Sequence, residues 1–160
     1  MQRLLLNTIA TILVFFCLPA CGKAKKGIHI QMEPVRSYLT TQAVNTLQNA
    51  AQNPALDYSL KDPYIVIEAV NNDELSSFGP GVLAIASVGG FPCRISIAER
   101  TYTFHQDWLN AVIWHEIGHC FEMDHSTDDN DIMYKYAKPL SLFSQDSLNK
   151  FIGRLYEATH

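Results

Sequence analysis

The chain has 160 residues, of which 48% are hydrophobic and 18% charged, and its formal net charge is −4. This length is typical of one domain, and the composition excludes an intrinsically disordered chain. The small negative charge provides no basic patch, so we expect no nucleic acid among the partners. We expect the protein to be a monomer.

The first twenty residues resemble a bacterial export signal. A basic start precedes an apolar run over residues 4–18, which is too short to span a membrane comfortably. The run ends in Leu18-Pro19-Ala20-Cys21, which resembles the lipobox, where the cysteine is acylated and cleavage falls before it. We therefore predict a lipoprotein signal peptide over residues 1–20, with an ordinary signal peptide and an incidental cysteine as the alternative.

The lipobox predicts where the mature protein is held. Lipidation of Cys21 would attach a short tether, residues 21–27, to the membrane of the bacterial cell envelope. A glycine follows the cysteine, where some lipoproteins carry the aspartate that keeps them in the inner membrane. The outer membrane is therefore the favoured location.

Hydrophobic periodicity over residues 28–160 predicts a single α+β domain. Strands are predicted over residues 28–32, 63–70, 82–88 and 94–98. Helices are predicted over residues 34–53 and 105–121, and in a closing segment that Ser144 caps. The expected architecture is a mixed, twisted β-sheet with an N-terminal, a central and a C-terminal helix packed on it.

One segment of the central helix carries the side chains of a metal site. His115 and His119 are four residues apart, so a helix presents both imidazoles on one face, where they can share a zinc ion. Glu116 lies beside them, turned by roughly 100°, within reach of a water molecule next to the metal. His125 can supply a third ligand if the helix ends between His119 and His125.

Chance is a poor explanation of this pattern. His-Glu-x-x-His arises in about 1% of random chains with this content of histidine and glutamate. The requirement for a third histidine at position 125 lowers this chance frequency by more than about twentyfold. The spacing therefore favours a zinc site over a surface helix with incidental histidines.

The segment from His115 to His125 resembles the zinc-binding motif of the metzincins, His-Glu-x-x-His-x-x-Gly-x-x-His. Its end, Asp124-His125-Ser126, resembles the matrixin branch, and the following residues 131–134 resemble the Met-turn. Residues 81–86 resemble the strand that precedes the edge strand, and residues 143–156 resemble the closing helix. Together these segments cover about half of the chain.

The resemblance implies a zinc-dependent endopeptidase with a metzincin-like fold. It assigns His115, His119 and His125 as ligands of one catalytic zinc ion, Glu116 as the general base for a metal-activated water, and Met133 as the floor beneath the metal. Two other functions remain open: a zinc-binding envelope lipoprotein without turnover, and a hydrolase of amides other than peptides.

The expected partner is a peptide or protein substrate. We expect it to lie extended along an edge strand near residues 94–98 and to bind by strand addition. Tyr134 and Tyr136 either line the pocket for the substrate residue after the scissile bond or pack in the ordinary way.

Glu122 departs from the family pattern, because it replaces the glycine of the motif. A non-glycine residue in the left-handed conformation of that glycine costs on the order of 1–2 kcal/mol. We favour a strained but intact turn. In the alternative, the helix continues past this point, His125 is misplaced, and Asp124 is the substitute ligand.

The secondary metal sites of matrixins are expected to be missing. Ile85 and Ser96 stand at or near positions of structural-zinc histidines, and Arg94 and Ala98 replace acidic calcium ligands. We therefore expect no structural zinc. The acidic residues 128–131 could hold calcium, but a solvated loop is the preferred interpretation.

Cys93 and Cys120 are the two cysteines left once Cys17 departs with the signal and Cys21 carries lipid. In an oxidising compartment the two thiols either form a disulfide or stay free. The sequence does not decide between these alternatives, because it does not give the distance between the two Cα atoms.

Overall fold

The computed structural model describes residues 29–32, 37–50, 64–89 and 92–159. The predicted signal peptide, the lipidation site Cys21 and the tether lie outside these residues. In the described part of the chain, no helix combines the length and the apolar character needed to cross a membrane.

Four strands form one mixed sheet in the order β1-β2-β4-β3. They are β1 (His29–Met32), β2 (Tyr64–Val70), β3 (Ala84–Ala86) and β4 (Cys93–Ala98). β1, β2 and β4 run parallel, whereas β3 pairs antiparallel with β4. The central strands β2 and β4 supply four fully buried isoleucines to the core: Ile65, Ile67, Ile95 and Ile97.

Three helices accompany the sheet: α1 (Ser37–Ala50), α2 (Gln106–Cys120) and α3 (Gln145–Thr159). Three short 3-10 turns, Ser76–Phe78, Glu99–Thr103 and Leu140–Leu142, were not predicted. Each helix and each strand of the prediction is present, within a few residues at the ends that the structure describes. The α+β architecture, a small mixed sheet with three helices, is thereby confirmed.

The helix α2 is buried on most of its surface because it lies between the other elements. Its Trp114 donates a hydrogen bond from Nε1 to the carbonyl of Ala43 in α1 at 3.1 Å. The same indole stacks on Phe151 of α3, with ring centroids 6.3 Å apart. Both aromatic side chains are at most 1% exposed. Contacts with α1 and α3 therefore fix the helix that carries His115 and His119.

The order of the strands corrects one expectation. We expected residues 94–98 to form an edge strand, but β4 has β2 on one side and β3 on the other. The edge next to α2 is β3 itself, within the segment that was expected to precede the edge strand. Residue patterns predict the strands, but they do not give the lateral order, since β3 and β4 are both short and apolar.

A disulfide joins the two cysteines that the sequence left undecided. Cys93 at the start of β4 is bonded to Cys120 at the end of α2, with the Cα atoms 5.6 Å apart. The bond closes a loop with a sequence separation of 27 residues. A loop of this length corresponds to roughly 3.5 kcal/mol of stabilisation in the chain-entropy account. The C-terminal end of α2 is thus held covalently against the sheet.

Candidate metal centre and its cleft

The three predicted zinc ligands converge on one point. Nε2 of His119 lies 3.1 Å from Nε2 of His115 and 3.2 Å from Nε2 of His125. Two nitrogens bound to the same tetrahedral zinc ion are about 3.3 Å apart, given zinc–nitrogen distances of about 2.05 Å. Within the residues the structure describes, this trio is the one cluster of three or more histidine, cysteine or acidic side chains close enough to share a metal ion.

The protonation of the rings follows from their outer hydrogen bonds. Nδ1 of His115 lies 2.8 Å from the carbonyl oxygen of Ile132, and Nδ1 of His119 lies 2.8 Å from that of Met123. Because a carbonyl only accepts, both Nδ1 atoms carry the proton, and both Nε2 atoms present lone pairs to each other. Lone pairs at this distance repel one another unless a cation lies between them. The donor set therefore fits a zinc ion.

Burial also keeps two of the predicted ligands, His115 and His119, neutral. It lowers the pKa of His115 to about 4 and lowers the pKa of His119 as well. Metal coordination requires the neutral imidazole, so at neutral pH these two rings need not lose a proton to bind zinc.

The turn after α2 brings His125 back to the other two histidines. The N–H of Glu122 donates to the carbonyl of His119 at 2.9 Å, and the N–H of Met123 donates to that of Gly118 at 3.1 Å. Glu122 has a φ of 61°, the single positive value of a non-glycine residue in the described ranges. The structure therefore has the strained but intact turn, and Asp124 does not enter the ligand cluster.

Gly118 was not singled out in the sequence, yet it permits the contact between α2 and the Met-turn. A Cβ atom at this position would lie 2.4 Å from Sδ of Met133 and 3.1 Å from Cε2 of Phe151. Met133 is fully buried directly against this helix face. Glycine in a helix interior costs about 1 kcal/mol relative to alanine, and that unfavourable choice is the signal that could have revealed the close approach.

A partly buried ion pair anchors the Met-turn. Oδ1 of Asp131 accepts hydrogen bonds from the N–H of Met133 at 2.9 Å and from Nη2 of Arg154 in α3 at 2.6 Å. The carbonyl of Ile132, between these two turn residues, is the partner of His115 Nδ1. The pair therefore connects α3 to the ring orientation of His115, a predicted metal ligand. No sequence pattern assigned this role to Arg154.

Glu116 is enclosed between α2 and β3. It is 6% exposed, and its Oε2 atom is buried without a hydrogen-bond partner. Burial raises the pKa of Glu116 to about 8, and a hydrogen bond from the backbone of Ala86 opposes that shift. A buried carboxylate oxygen without a partner is uncommon in native structures and is a mark of functional sites.

The metal centre opens into a cleft of about 420 Å³. Residues of β3, of α2 and of the segment after the Met-turn line its walls. Tyr134 and Tyr136 both belong to this lining, and their rings also pack against each other with centroids 5.6 Å apart. The two readings of these tyrosines, pocket wall and mutual packing, are thus compatible.

The positions expected to lack secondary metals are engaged in other contacts. The carboxylate of Glu68 accepts hydrogen bonds from Nη1 of Arg94 at 2.6 Å and from Oγ of Ser96 at 3.1 Å. Ile85 lies in β3. In the acidic stretch, Asp131 is turned inward to Arg154, which leaves fewer carboxylates for calcium. The solvated loop, the preferred interpretation of residues 128–131, stays a prediction.

Comparisons with known proteins agree with this geometry. The sequence profile of the matrixin family matches residues 41–156, which is more than half of the chain. A search of curated proteins gives no match. Among solved structures, the fold is similar to archaemetzincin from Methanopyrus kandleri, with a TM-score of 0.53, 11% sequence identity and coverage of 86% of this chain and 98% of that one. The chain therefore belongs to the matrixin family of zinc metallopeptidases.

Proposed function

We propose that the protein is an endopeptidase that uses one zinc ion and Glu116 to hydrolyse peptide bonds. The observation that carries the proposal is the convergence of three imidazole Nε2 atoms beside a buried glutamate. These groups line the same cleft, and the edge strand β3 forms one of its walls. Metal binding alone would not require the glutamate.

His115, His119 and His125 would hold the zinc ion. When bound, zinc supplies Lewis acidity, which polarises the substrate carbonyl and lowers the pKa of water. In the zinc-loaded protein the neighbouring cation would lower the pKa of Glu116 from about 8, so that Glu116 is ionised, takes a proton from the attacking water and returns it to the leaving amine. Its enclosure against β3, with the hydrogen bond from Ala86, holds the carboxylate in place for both transfers.

The edge of β3 is the proposed binding site for the substrate backbone. On its paired side, Leu83 accepts from the N–H of Ala98, and the N–H of Ser87 donates to Arg94. Because backbone directions alternate in an antiparallel pair, the N–H and C=O groups of Ala84 and Ala86 point away from β4, where the backbone of Ala86 already donates to Glu116 and Ala84 is left for a substrate. Both alanines line the cleft. An extended peptide that adds to this edge would lie across the metal centre.

The direct test is digestion of a diverse peptide library by the zinc-loaded protein. Glu116→Gln keeps the shape of the side chain but removes the base, so we expect cleavage to fall by about 10²–10⁴-fold. Glu157→Gln, an exposed substitution on α3, is the matched control and should cleave normally. The zinc content of each variant would be measured in parallel.

The outcomes separate the alternatives. Failure of a folded, zinc-loaded protein to cut any peptide would favour the zinc-binding lipoprotein without turnover. Undiminished cleavage by Glu116→Gln would mean that another group is the base.

We also propose that the protein is lipid-anchored in the bacterial cell envelope, with the Leu18-Pro19-Ala20-Cys21 motif as support. Labelled palmitate should be incorporated when the full chain is expressed in a bacterium that processes lipoproteins. Cys21→Ser should abolish the label and release the protein from the membrane fraction. A membrane-bound protein without label would contradict the proposal.

A further inference from the structure

The cleft has a cationic wall. Apart from the histidines, its lining contains one acidic residue, Glu116 at the metal centre. It contains two basic residues, Lys135 and Lys138, in the segment after the Met-turn. The ion pairs between described residues are Arg94–Glu68 and Arg154–Asp131. Within the described ranges, neither lysine therefore has a carboxylate at ion-pair distance. This contrasts with the net charge of −4 for the whole chain.

Aromatic rings hold both ammonium groups at the wall. Nζ of Lys138 lies 4.4 Å from the ring centroid of Phe143, which is 8% exposed and also lines the cleft. Nζ of Lys135 lies 5.0 Å from the ring centroid of Tyr136. A ring face attracts a cation and orients it, but it does not neutralise the charge. Lys138 is half-buried, whereas Lys135 is exposed, so Lys138 has lost more of its water.

The other residues that line the cleft also bear on the charge of the substrate side chain that binds there. Leu83 and Val112 are apolar, and they offer a substrate cation no partner. A substrate lysine or arginine would meet the two ammonium groups in a partly dehydrated cleft, where charge repulsion is stronger than in water. A substrate carboxylate would instead provide the anionic partner that Lys138 lacks.

We propose that the cleft selects peptides with an aspartate or glutamate at the subsite next to Lys138, and that Lys138 is the main residue that determines this specificity. The inference rests on the proposed peptidase function and names its substrate class. Lys135, which is exposed and lies on the same wall, contributes less.

The first test compares peptides that differ in one residue. Glutamate, glutamine and lysine are placed in turn at each position around a scissile bond found in the library, and kcat/KM is measured. At one position we expect glutamate to exceed glutamine by about tenfold, and lysine to be the poorest. Salt at roughly 0.5 M should reduce the ratio of glutamate to glutamine cleavage, because it screens the partly exposed charge pair.

Variants then test whether Lys138 causes the preference for a substrate glutamate. Lys138→Gln should reduce the glutamate-to-glutamine ratio to about one, and Lys138→Glu should favour lysine peptides. Lys150→Gln, an exposed substitution on α3 that does not line the cleft, is the matched control and should keep the ratio of the unmodified protein. Cleavage without a preference for acidic residues, or a preference that survives Lys138→Gln, would overturn the inference.

A binding measurement separates this inference from the peptidase proposal. The same peptides are titrated onto zinc-loaded Glu116→Gln, which binds without rapid turnover, and affinity is measured by calorimetry. Tighter binding of the glutamate peptide, lost with Lys138→Gln in the same background, supports the inference even if the unmodified protein cuts nothing. Equal binding of all three peptides would overturn it, even if the unmodified protein proves to be a peptidase.

Discussion

At Gly118 the helix α2 lies so close to Met133 that there is no room for a Cβ atom without a shift of the methionine side chain. We expect Gly118→Ala to lower the free energy of unfolding by about 1–2 kcal/mol, because the new methyl group would overlap Sδ of Met133. Displacement of Met133 should also weaken zinc binding. Gly153→Ala is the matched control: its Cβ meets nothing within 4 Å, so better helix propensity should stabilise the protein by about 0.5–1 kcal/mol. Urea unfolding of both variants measures their free energies of unfolding. Equal changes in the two variants would contradict a close contact between Gly118 and Met133.

Glu122 holds the left-handed conformation that the matrixin motif assigns to glycine. We expect Glu122→Gly to raise the free energy of unfolding by about 0.5–1 kcal/mol, because the relief of strain exceeds the entropy that glycine adds to the unfolded chain. Glu122→Asn should lie between the two, since asparagine tolerates this conformation better than glutamate does. Thermal unfolding of the three proteins would show the series. A less stable glycine variant would mean that the glutamate side chain makes a compensating interaction.

The residues of the site differ in how far the sequence could predict them. The four-residue spacing of His115 and His119 fixes their relation, because helix geometry is regular. The approach of His125 depended on the backbone conformation of Glu122, for which the sequence allowed two outcomes. The role of Gly118 depends on a contact with Met133, fifteen positions along the chain, and no local pattern contains it.

At the scale of elements, α3 is joined to the Met-turn by Arg154 and Asp131. We expect Arg154→Met to lower stability by about 2–3 kcal/mol, because Asp131 would be left buried without its cationic partner. The carbonyl of Ile132 would then orient His115 less well, and zinc affinity should fall about tenfold. Urea unfolding and competition with a fluorescent zinc chelator measure the two effects.

Arg94→Met is the control for this pair. It breaks an ion pair whose side chains are 55% and 35% exposed, so we expect a loss below about 1 kcal/mol and unchanged zinc affinity. If Arg154→Met destabilises the protein but binds zinc as tightly as the unmodified chain, the pair supports the fold without positioning His115.

The elements themselves were more predictable than their arrangement. Periodicity located the strands, because the buried positions of β2 and β4 alternate, whereas α2 is buried throughout residues 109–114 and has no single buried face. The lateral order of β3 and β4 could not be obtained in this way. It depends on hydrogen bonds between strands that are distant in sequence, such as those that pair β2 with β4.

At the scale of the whole molecule, the metal centre is assembled from parts that the rest of the fold holds in place. Two ligands lie on α2, which packs between α1 and α3, and the third follows the turn at Glu122. The disulfide fixes the end of α2, and the N–H of Ser126, next to His125, donates to the carbonyl of Met133 at 2.8 Å. Most of the core is therefore independent of the metal, and we expect the protein to stay folded when zinc is removed.

Zinc should nevertheless stabilise the protein, because the three nitrogens come together in the folded state alone. At free zinc about 100-fold above Kd, the gain is about 2.7 kcal/mol, or a rise in Tm of roughly 5–11 °C for a chain of this size. We expect a chelator to lower Tm by that amount and added zinc to restore it. His125→Ala should remove most of this response, whereas His105→Ala, at the start of α2 and outside the ligand cluster, should keep it. A Tm that changes with neither chelator nor added zinc would show that the three histidines do not form a metal site. The proposed peptidase mechanism would then have no basis.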